Sequence, residues 1–274
     1  MRLATWNVNS LRVRLPHVIA WLTEEAGTEV DLLGLQETKL IDAKFPKADI
    51  EAAGYHVVFA GQPTYNGVAI LAKKSRFKCP EDLVINNPHF ADEQVRIITA
   101  TLWPICADDA HEDGEPLRLV NAYVPNGAAV GSDKYDYKLR WLDALQVFVE
   151  EELKRFSRLA LVGDYNIAPK DIDVHDPDEW AGQVLCSPAE RERFQALINL
   201  GLTDSFRLHP HNEKSFSWWD YRQAGFRRNR GLRIDHVLLS PALATLCVQS
   251  GIDTAPRKKE QPSDHAPVWA EMST

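Results

Sequence analysis

The sequence predicts an α/β sandwich in which two β-sheets lie face to face and helices cover their outer faces. Three observations predict it. Apolar or β-branched runs bounded by turn residues recur along the whole chain, helical periodicity falls between several of them, and no repeat, low-complexity tract or Pro/Gly/Ser linker separates two cores. Residues 1–274 are therefore expected to form a single domain, a length that one large core can still fill.

In chain order, strands are expected at residues 3–8, 31–36, 55–60, 67–72, 95–103, 117–124, 159–163, 233–239 and 267–271. A first helix is expected over 16–25, after Ser10 and Arg14. The clearest helical spacing is Leu139, Leu142, Leu145, Val149 and Leu153, with Asp133 as a cap and Glu150, Glu151 and Lys154 facing water. A third helix fits 188–200, where Ser187 can cap, Pro188 suits the first helical position and Gly201 ends the run.

Hydrophobic residues make up 45% of the chain and charged residues 26%, enough to build a packed interior without disulfides or a structural metal. No apolar run approaches the roughly 18 residues needed to cross a bilayer, and the N-terminal residues turn polar too early for a signal peptide. The four cysteines, Cys79, Cys106, Cys186 and Cys247, are scattered without a C-x-x-C pair, which fits thiols in a reducing compartment and points to the cytoplasm.

The net charge of −8 argues at first against a polyanionic partner. That acidity is local. Ten acids lie in residues 107–116 and 171–179, which hold no Lys or Arg, and setting them aside turns −8 into +2. Residues 222–233 carry five arginines and no acid, and Arg257-Lys258-Lys259 follows, so candidate phosphate-facing patches exist.

Several buried runs end abruptly in carboxylates, amides or a histidine: Trp6-Asn7-Val8-Asn9, Leu35-Gln36-Glu37, Gly163-Asp164-Tyr165-Asn166, Ile234-Asp235-His236 and Ser263-Asp264-His265. Each alone reads as an ordinary strand end. Together they supply the hard oxygen ligands that magnesium prefers, plus one titratable imidazole, an inventory suited to phosphoester hydrolysis.

On these residues the sequence resembles the exonuclease III branch of the endonuclease/exonuclease/phosphatase superfamily. The matching segments run in order: TWNVNSLR from Thr5, LLGLQETK ending at Lys39, YNGVAI from Tyr65, NAYVPNG from Asn121, LVGDYNIAP ending at Pro169, FSWWDYR from Phe216, GLRIDHVLLS from Gly231 and PSDHAPVW from Pro262. The resemblance implies a four-layer α/β sandwich with two mixed β-sheets packed face to face and flanked by helices. It implies a Mg²⁺-dependent phosphodiesterase, with Mn²⁺ able to substitute, acting on double-stranded DNA with abasic sites or damaged 3′ ends. Such an enzyme incises 5′ to the abasic site, removes 3′ blocking groups and nucleotides, and works as a monomer away from membranes. YNGVA, YVPNG and the WWDYR to RGLRID stretch point to the DNA-repair branch; a small-molecule phosphoesterase and a non-catalytic DNA-binding module are the alternatives.

Carried over by position, the resemblance makes Glu37 the main metal carboxylate, with Asn7 ligating or orienting it, and Asp164, Asn166, Asp264 and His265 completing the metal set. Asn9 departs from the Asp that some relatives place there. Asp164 is expected to deprotonate the attacking water, and Asn166, two residues on along the same strand face, to bond the phosphate. His265 would meet a phosphate oxygen or the water, with Asp235 holding its other ring nitrogen. Tyr123 would stabilise the pentacovalent phosphate. Arg12, Asn66 and Asn126 fit DNA backbone contacts. Trp218, Leu232 and Ile234 match positions lining a pocket for a base-less sugar. His175, in the acidic loop after the catalytic strand, is a departure expected to narrow that pocket or reach the DNA and to favour 3′-end processing.

Overall fold

The computed structural model describes residues 1–24, 30–105 and 114–273; Cys106 and most of the acidic stretch 107–116 lie outside them. In chain order the elements are β1 (Arg2–Asn7), α1 (Leu11–Thr23), β2 (Leu32–Gln36), α2 (Lys47–Ala52), β3 (Tyr55–Ala60), β4 (Val68–Lys73), β5 (Glu81–Ile85), β6 (Ile97–Leu102), β7 (Leu117–Tyr123) and α3 (Asp133–Arg155). They continue with β8 (Leu159–Asp164), α4 (Pro177–Trp180), α5 (Pro188–Asn199), β9 (Thr203–Asp204), β10 (Trp218–Trp219), β11 (Gly231–Leu232), β12 (Asp235–Leu239), α6 (Pro241–Ala244), β13 (Cys247–Ile252) and β14 (Val268–Met272).

Two six-stranded mixed sheets form, in the orders β13-β14-β1-β2-β4-β3 and β5-β6-β7-β8-β12-β9, with a separate ribbon of β10 and β11. In each sheet one central pair is parallel, β1 with β2 and β7 with β8. Alternation along the strands sorts the core into layers. On β1, Leu3 enters the layer between the sheets with Ile70, Ala100, Leu119, Val162 and Val237, while Ala4 and Trp6 point outward to Leu11, Val18 and Trp21 of α1. On the far face of the second sheet, Val120 and Leu161 meet Trp141, Leu142 and Leu145 of α3 and Phe194 and Leu197 of α5. The result is the expected four layers, helix, sheet, sheet, helix.

Local signals and structure differ where tertiary packing intervenes. The first helix begins at Leu11 rather than residue 16 and carries Pro16 inside it. Proline removes one helical hydrogen bond. Burial of Leu11, Val18, Trp21 and Leu22 against the sheet, with Leu11 N donating to Thr38 O and Arg14 N to Ser10 O, outweighs that loss. The cap of α3 is Ser132, whose hydroxyl accepts from Tyr135 N at 3.2 Å, with Asp133 already in the first turn. The third helix follows the expected punctuation, with Ser187 and Glu190 forming a reciprocal capping box and Gly201 (φ 100°) just past its end. Strands β5 and β13 were not expected. Both are edge strands with irregular register and largely open faces, so neither carries a continuous hydrophobic signal.

Behind the catalytic rim the sheets are riveted by one amide. Asn121 of β7 donates to Leu35 O and Ala69 O, both at 2.9 Å, and its Oδ1 accepts from Gln36 Nε2 at 2.6 Å. Gln36 donates onward to Thr5 Oγ1 at 2.8 Å. Close approach requires a glycine opposite: a Cβ on Gly34 would fall 2.9 Å from both Asn121 Oδ1 and Val162 Cγ2. Gly34→Ala is therefore expected to cost roughly 1–3 kcal/mol through overpacking. Urea unfolding checks this, and an unshifted midpoint would mean that the spacing of the sheets is not fixed there.

Candidate active site

The rim is assembled by register. Parallel pairing ends β1 and β2 side by side at Asn7 and Gln36, so Glu37 leaves the sheet beside Asn7. In the second sheet Asp164 pairs with both Tyr123 and Asp235, which brings three chemically active side chains to one edge. His265 enters through an isolated bridge to Trp218, just before β14. Leaving the strands so sharply puts Asn9, Glu37, Lys39 and Asn166 into left-handed backbone, with φ of 43°, 52°, 55° and 48°. Such strain in non-glycine residues concentrates at functional sites.

Asn7 is the hub. Its amide nitrogen donates to Glu37 Oε1 and to Asp164 Oδ2, each at 2.9 Å, and thereby ties the two sheets at the rim. His265 Nδ1 lies 2.9 and 3.1 Å from the two oxygens of Asp235, and its Nε2 lies 3.7 Å from Asp164 Oδ2. Tyr123 lies close to both Glu37 and Asp164. Asn166 does share the site with Asp164, but not through strand alternation: β8 ends at Asp164, and the left-handed turn folds Asn166 back so that its backbone N–H donates to Asp164 Oδ1 at 2.9 Å.

Electrostatics divide the labour. Burial would raise the Glu37 carboxyl, but Lys39 at 2.9 Å and the Asn7 amide more than offset it and hold it below the ordinary range. Burial pushes Asp164 up to about 7, against the pull of His265 and with the help of Asp235. Burial also opposes charge on His265, yet Asp235 and Asp164 raise its imidazole to about 10. Burial, with Glu37 and Asp164 close by, lifts the Tyr123 phenol well above its usual range, so it remains a donor at neutral pH. Asp164, Asp235 and His265 lie within metal-binding distance of one another. An imidazolium offers no lone pair, however, so the open oxygen-rich side of the site is that of half-buried Glu37, with the buried Asn7 amide behind it.

A second ring surrounds this centre. Lys39 donates to Asn9 Oδ1 at 2.6 Å, and Asn9 donates to Asp264 Oδ1 at 2.9 Å. Asp264 also accepts from Trp218 Nε1 at 3.0 Å, so the carboxylate expected at the metal is held by two side-chain N–H donors. Asn126 donates to Asn166 Oδ1 at 3.1 Å. Asn66 sits at φ 56° before β4 and bonds Gln62 and Gln94, while Arg12 is exposed on α1. Leu232 and Ile234 are fully buried with Ala168, Val174 and Leu185, and they back Trp218 rather than present surface of their own. His175 is no free loop side chain: its Nδ1 is 3.2 Å from Gly231 O and its Nε2 is 3.3 Å from Arg230 Nε. With Trp180, Trp218, Arg222 and Arg230 it lines a cavity of about 330 Å³.

Sequence reasoning missed Lys39, although it closes the LQETK segment two residues after Glu37. It also missed Ser217 and Ser263. The Ser217 hydroxyl accepts from the N–H groups of Ile234 and Asp235, and the Ser263 hydroxyl donates to Asn7 O at 2.7 Å. No spacing distinguishes such serines from ordinary turn residues.

The family model of the endonuclease/exonuclease/phosphatase family matches residues 4–265. The chain belongs to the exonuclease III branch of that family. It is 39% identical over 280 residues to exodeoxyribonuclease III of Haemophilus influenzae, covering 99% of this chain and 100% of the relative. A Neisseria 3′ phosphatase bound to a product DNA hairpin superposes with a TM-score of 0.90 at 44% identity, over 100% of both chains. An AP endonuclease from Archaeoglobus fulgidus gives 0.87 at 36% identity, again over 100% of both chains. Among the described residues, no helix is long and apolar enough to cross a membrane.

The raised Asp164 carboxyl has a stability signature. A folded value of about 7 against an ordinary 3.8 means that its contribution is fully present below 3.8 and is lost as pH rises through 7. Asp164→Asn has no such loss. In EDTA, the melting temperature of Asp164→Asn relative to wild type is expected to rise from about pH 4 to about pH 8, and parallel curves would show that burial does not hold this carboxyl up.

Proposed function

We propose that the protein is a magnesium-dependent DNA repair phosphodiesterase that incises duplex DNA 5′ to abasic sites and removes blocking groups and nucleotides from 3′ ends. The observation that carries this reading is the Asn7 amide, which bonds the Glu37 and Asp164 carboxylates at once, with the His265 imidazolium Nε2 3.7 Å from Asp164 Oδ2. Four carboxylates, Glu37, Asp164, Asp235 and Asp264, gather around two side-chain cations, Lys39 and His265, an excess of hard oxygen donors that suits a divalent ion. The names of the relatives, a 3′ phosphatase, an exodeoxyribonuclease and an AP endonuclease, support DNA as the substrate. In this reading residues 1–274 act as a single domain and a monomer in the cytoplasm.

Glu37 and Asn7 would hold the metal, which supplies Lewis-acid stabilisation of charge on the phosphate and leaving oxygen. Asp164, poised near neutrality, takes the proton of the attacking water, and the Asn7 amide fixes its Oδ2. Asp235 anchors His265 Nδ1, which leaves the Nε2 proton for a non-bridging phosphate oxygen. Tyr123, held protonated, would donate toward the same developing charge, and Asn166, folded back beside Asp164, is the amide read as bonding the phosphate.

The test is an end-labelled duplex with one abasic site, beside a duplex with a blocked 3′ end, incubated with Mg²⁺ or EDTA. Metal-dependent cleavage is expected, reduced by roughly 10²–10⁴ in Asp164→Asn and strongly reduced in Glu37→Ala. Hydrolysis of small phosphoesters with no cleavage of duplex would replace this reading, and binding of duplex without any cleavage would make the protein a non-catalytic module.

The placement of His175 favours 3′-end processing within that spectrum. Its ring is pinned to β11 and lines the Trp218 cavity, where in this reading it would limit the space for an extrahelical sugar. His175→Gly is expected to raise abasic incision relative to 3′-end removal, and an unchanged ratio of the two rates would reject this role.

A further inference from the structure

One buried cation stands outside the chemistry described so far. Lys138 of α3 and Glu190 of α5 form an ion pair in which both side chains are 0% exposed. A lysine that deep is rare unless fully partnered. Its ammonium has three protons, and three acceptors surround it: Glu190 Oε1, Asn166 O at 2.7 Å and Asn126 O at 3.1 Å. Glu190 is saturated in turn. Its Oε1 also accepts from Leu185 N at 3.0 Å, and its Oε2 accepts from Ser187 N at 3.1 Å and from Ser187 Oγ at 2.6 Å.

The two carbonyls that Lys138 holds belong to residues of the rim. Asn166 is the amide folded back onto Asp164, and Asn126 donates to Asn166 Oδ1. The loops that carry them follow different strands, β7 and β8, and Asn166 Nδ2 joins them by donating to Val124 O at 3.0 Å. The lysine stem also packs at the turn, since a Cβ on Gly127 would lie 3.0 Å from Lys138 Cδ. Burial pulls the lysine below its ordinary range, and the Glu190 carboxylate works against that pull.

We propose that Lys138 is a positioning residue for phosphodiester cleavage, its ammonium clamping the Asn126 and Asn166 carbonyls so that the two side-chain amides face the phosphate in fixed register. Glu190 serves it as the counter-charge that makes a buried ammonium tolerable and as the tie to α5. The inference rests on the reading of Asn166 as a phosphate-facing group.

A double-mutant cycle tests it. Lys138→Met/Glu190→Gln removes both buried charges together, which avoids stranding one of them. The double variant is expected to melt near wild type in EDTA, to bind duplex in EDTA with little loss, and to cleave with kcat lowered at least about tenfold while KM changes less. Glu190→Gln alone strands the ammonium and is expected to lower the melting temperature, while the folded protein, its ammonium still on the two carbonyls, stays within about threefold of wild-type kcat. In an Asn166→Ala background, already slow, the double change should cost about twofold or less, because the group through which Lys138 acts is gone. An equal loss in both backgrounds, or full activity in a folded double variant, overturns the proposal. Should the double variant unfold, Lys138→Gln, which leaves one amide to serve the carbonyls, goes through the same cycle with the same criteria. Failure of the wild-type protein to cleave duplex would instead sink the functional reading itself.

Discussion

The distance between the two sheets is the constraint on which the site depends. A rim built from two sheets can bring Glu37 and Asp164 within reach of a single amide only if the layers behind it approach closely and hold their register. The Asn121 side chain does this by satisfying two carbonyls of the first sheet from a strand of the second, opposite a residue with no side chain. In a dry interior the alternative to those bonds is an unpaired amide, which is costly, so the arrangement selects one relative placement of the sheets rather than a family of them. Apolar packing alone would give cohesion with less geometric choice.

The charge distribution follows a graded plan. Burial opposes ionisation of all three carboxylates and prevails at the innermost, Asp164, whereas Lys39 and Asn7 at Glu37, and His265, Trp218 and Asn9 at Asp264, outweigh it nearer the open side. The group that must exchange a proton is thus the one kept near neutrality, and the groups that must stay anionic are kept so. The molecule sacrifices some stability at Asp164 to gain that poise, the usual direction of the trade between stability and activity.

Much of this was legible in the sequence, for a physical reason. Interior strands must bury both faces, so they appear as apolar runs, and a run that breaks into Asn, Glu, Asp or His announces a rim; Asn7, Glu37, Asp164, Asp235 and His265 were all found that way, and the structure brings them together. Edge strands bury little, and β5 and β13 left no comparable mark. The start of α1 was hidden by Pro16, whose local cost is overruled by a buried face that only the folded sheet provides. Lys138 lies four residues before Leu142 on the apolar stripe of α3, a lysine where a hydrophobic residue belongs, and Glu190 completes the Ser-x-x-Glu pattern at the start of α5. Each was visible as an anomaly, but that the two meet, and under which loops, depends on α3 packing against α5.

The topology also bears on the order in which the site comes together. Strand β1, which delivers Asn7, lies in the interior of its sheet between β2 and β14, and His265 is fixed only once β14 docks beside it. Until β14 docks, the edge of β1 is bare and His265, three residues before that strand, is not held against Trp6. Sequence-distant segments must therefore meet before the rim is complete, which ties the geometry of the site to completion of the first sheet.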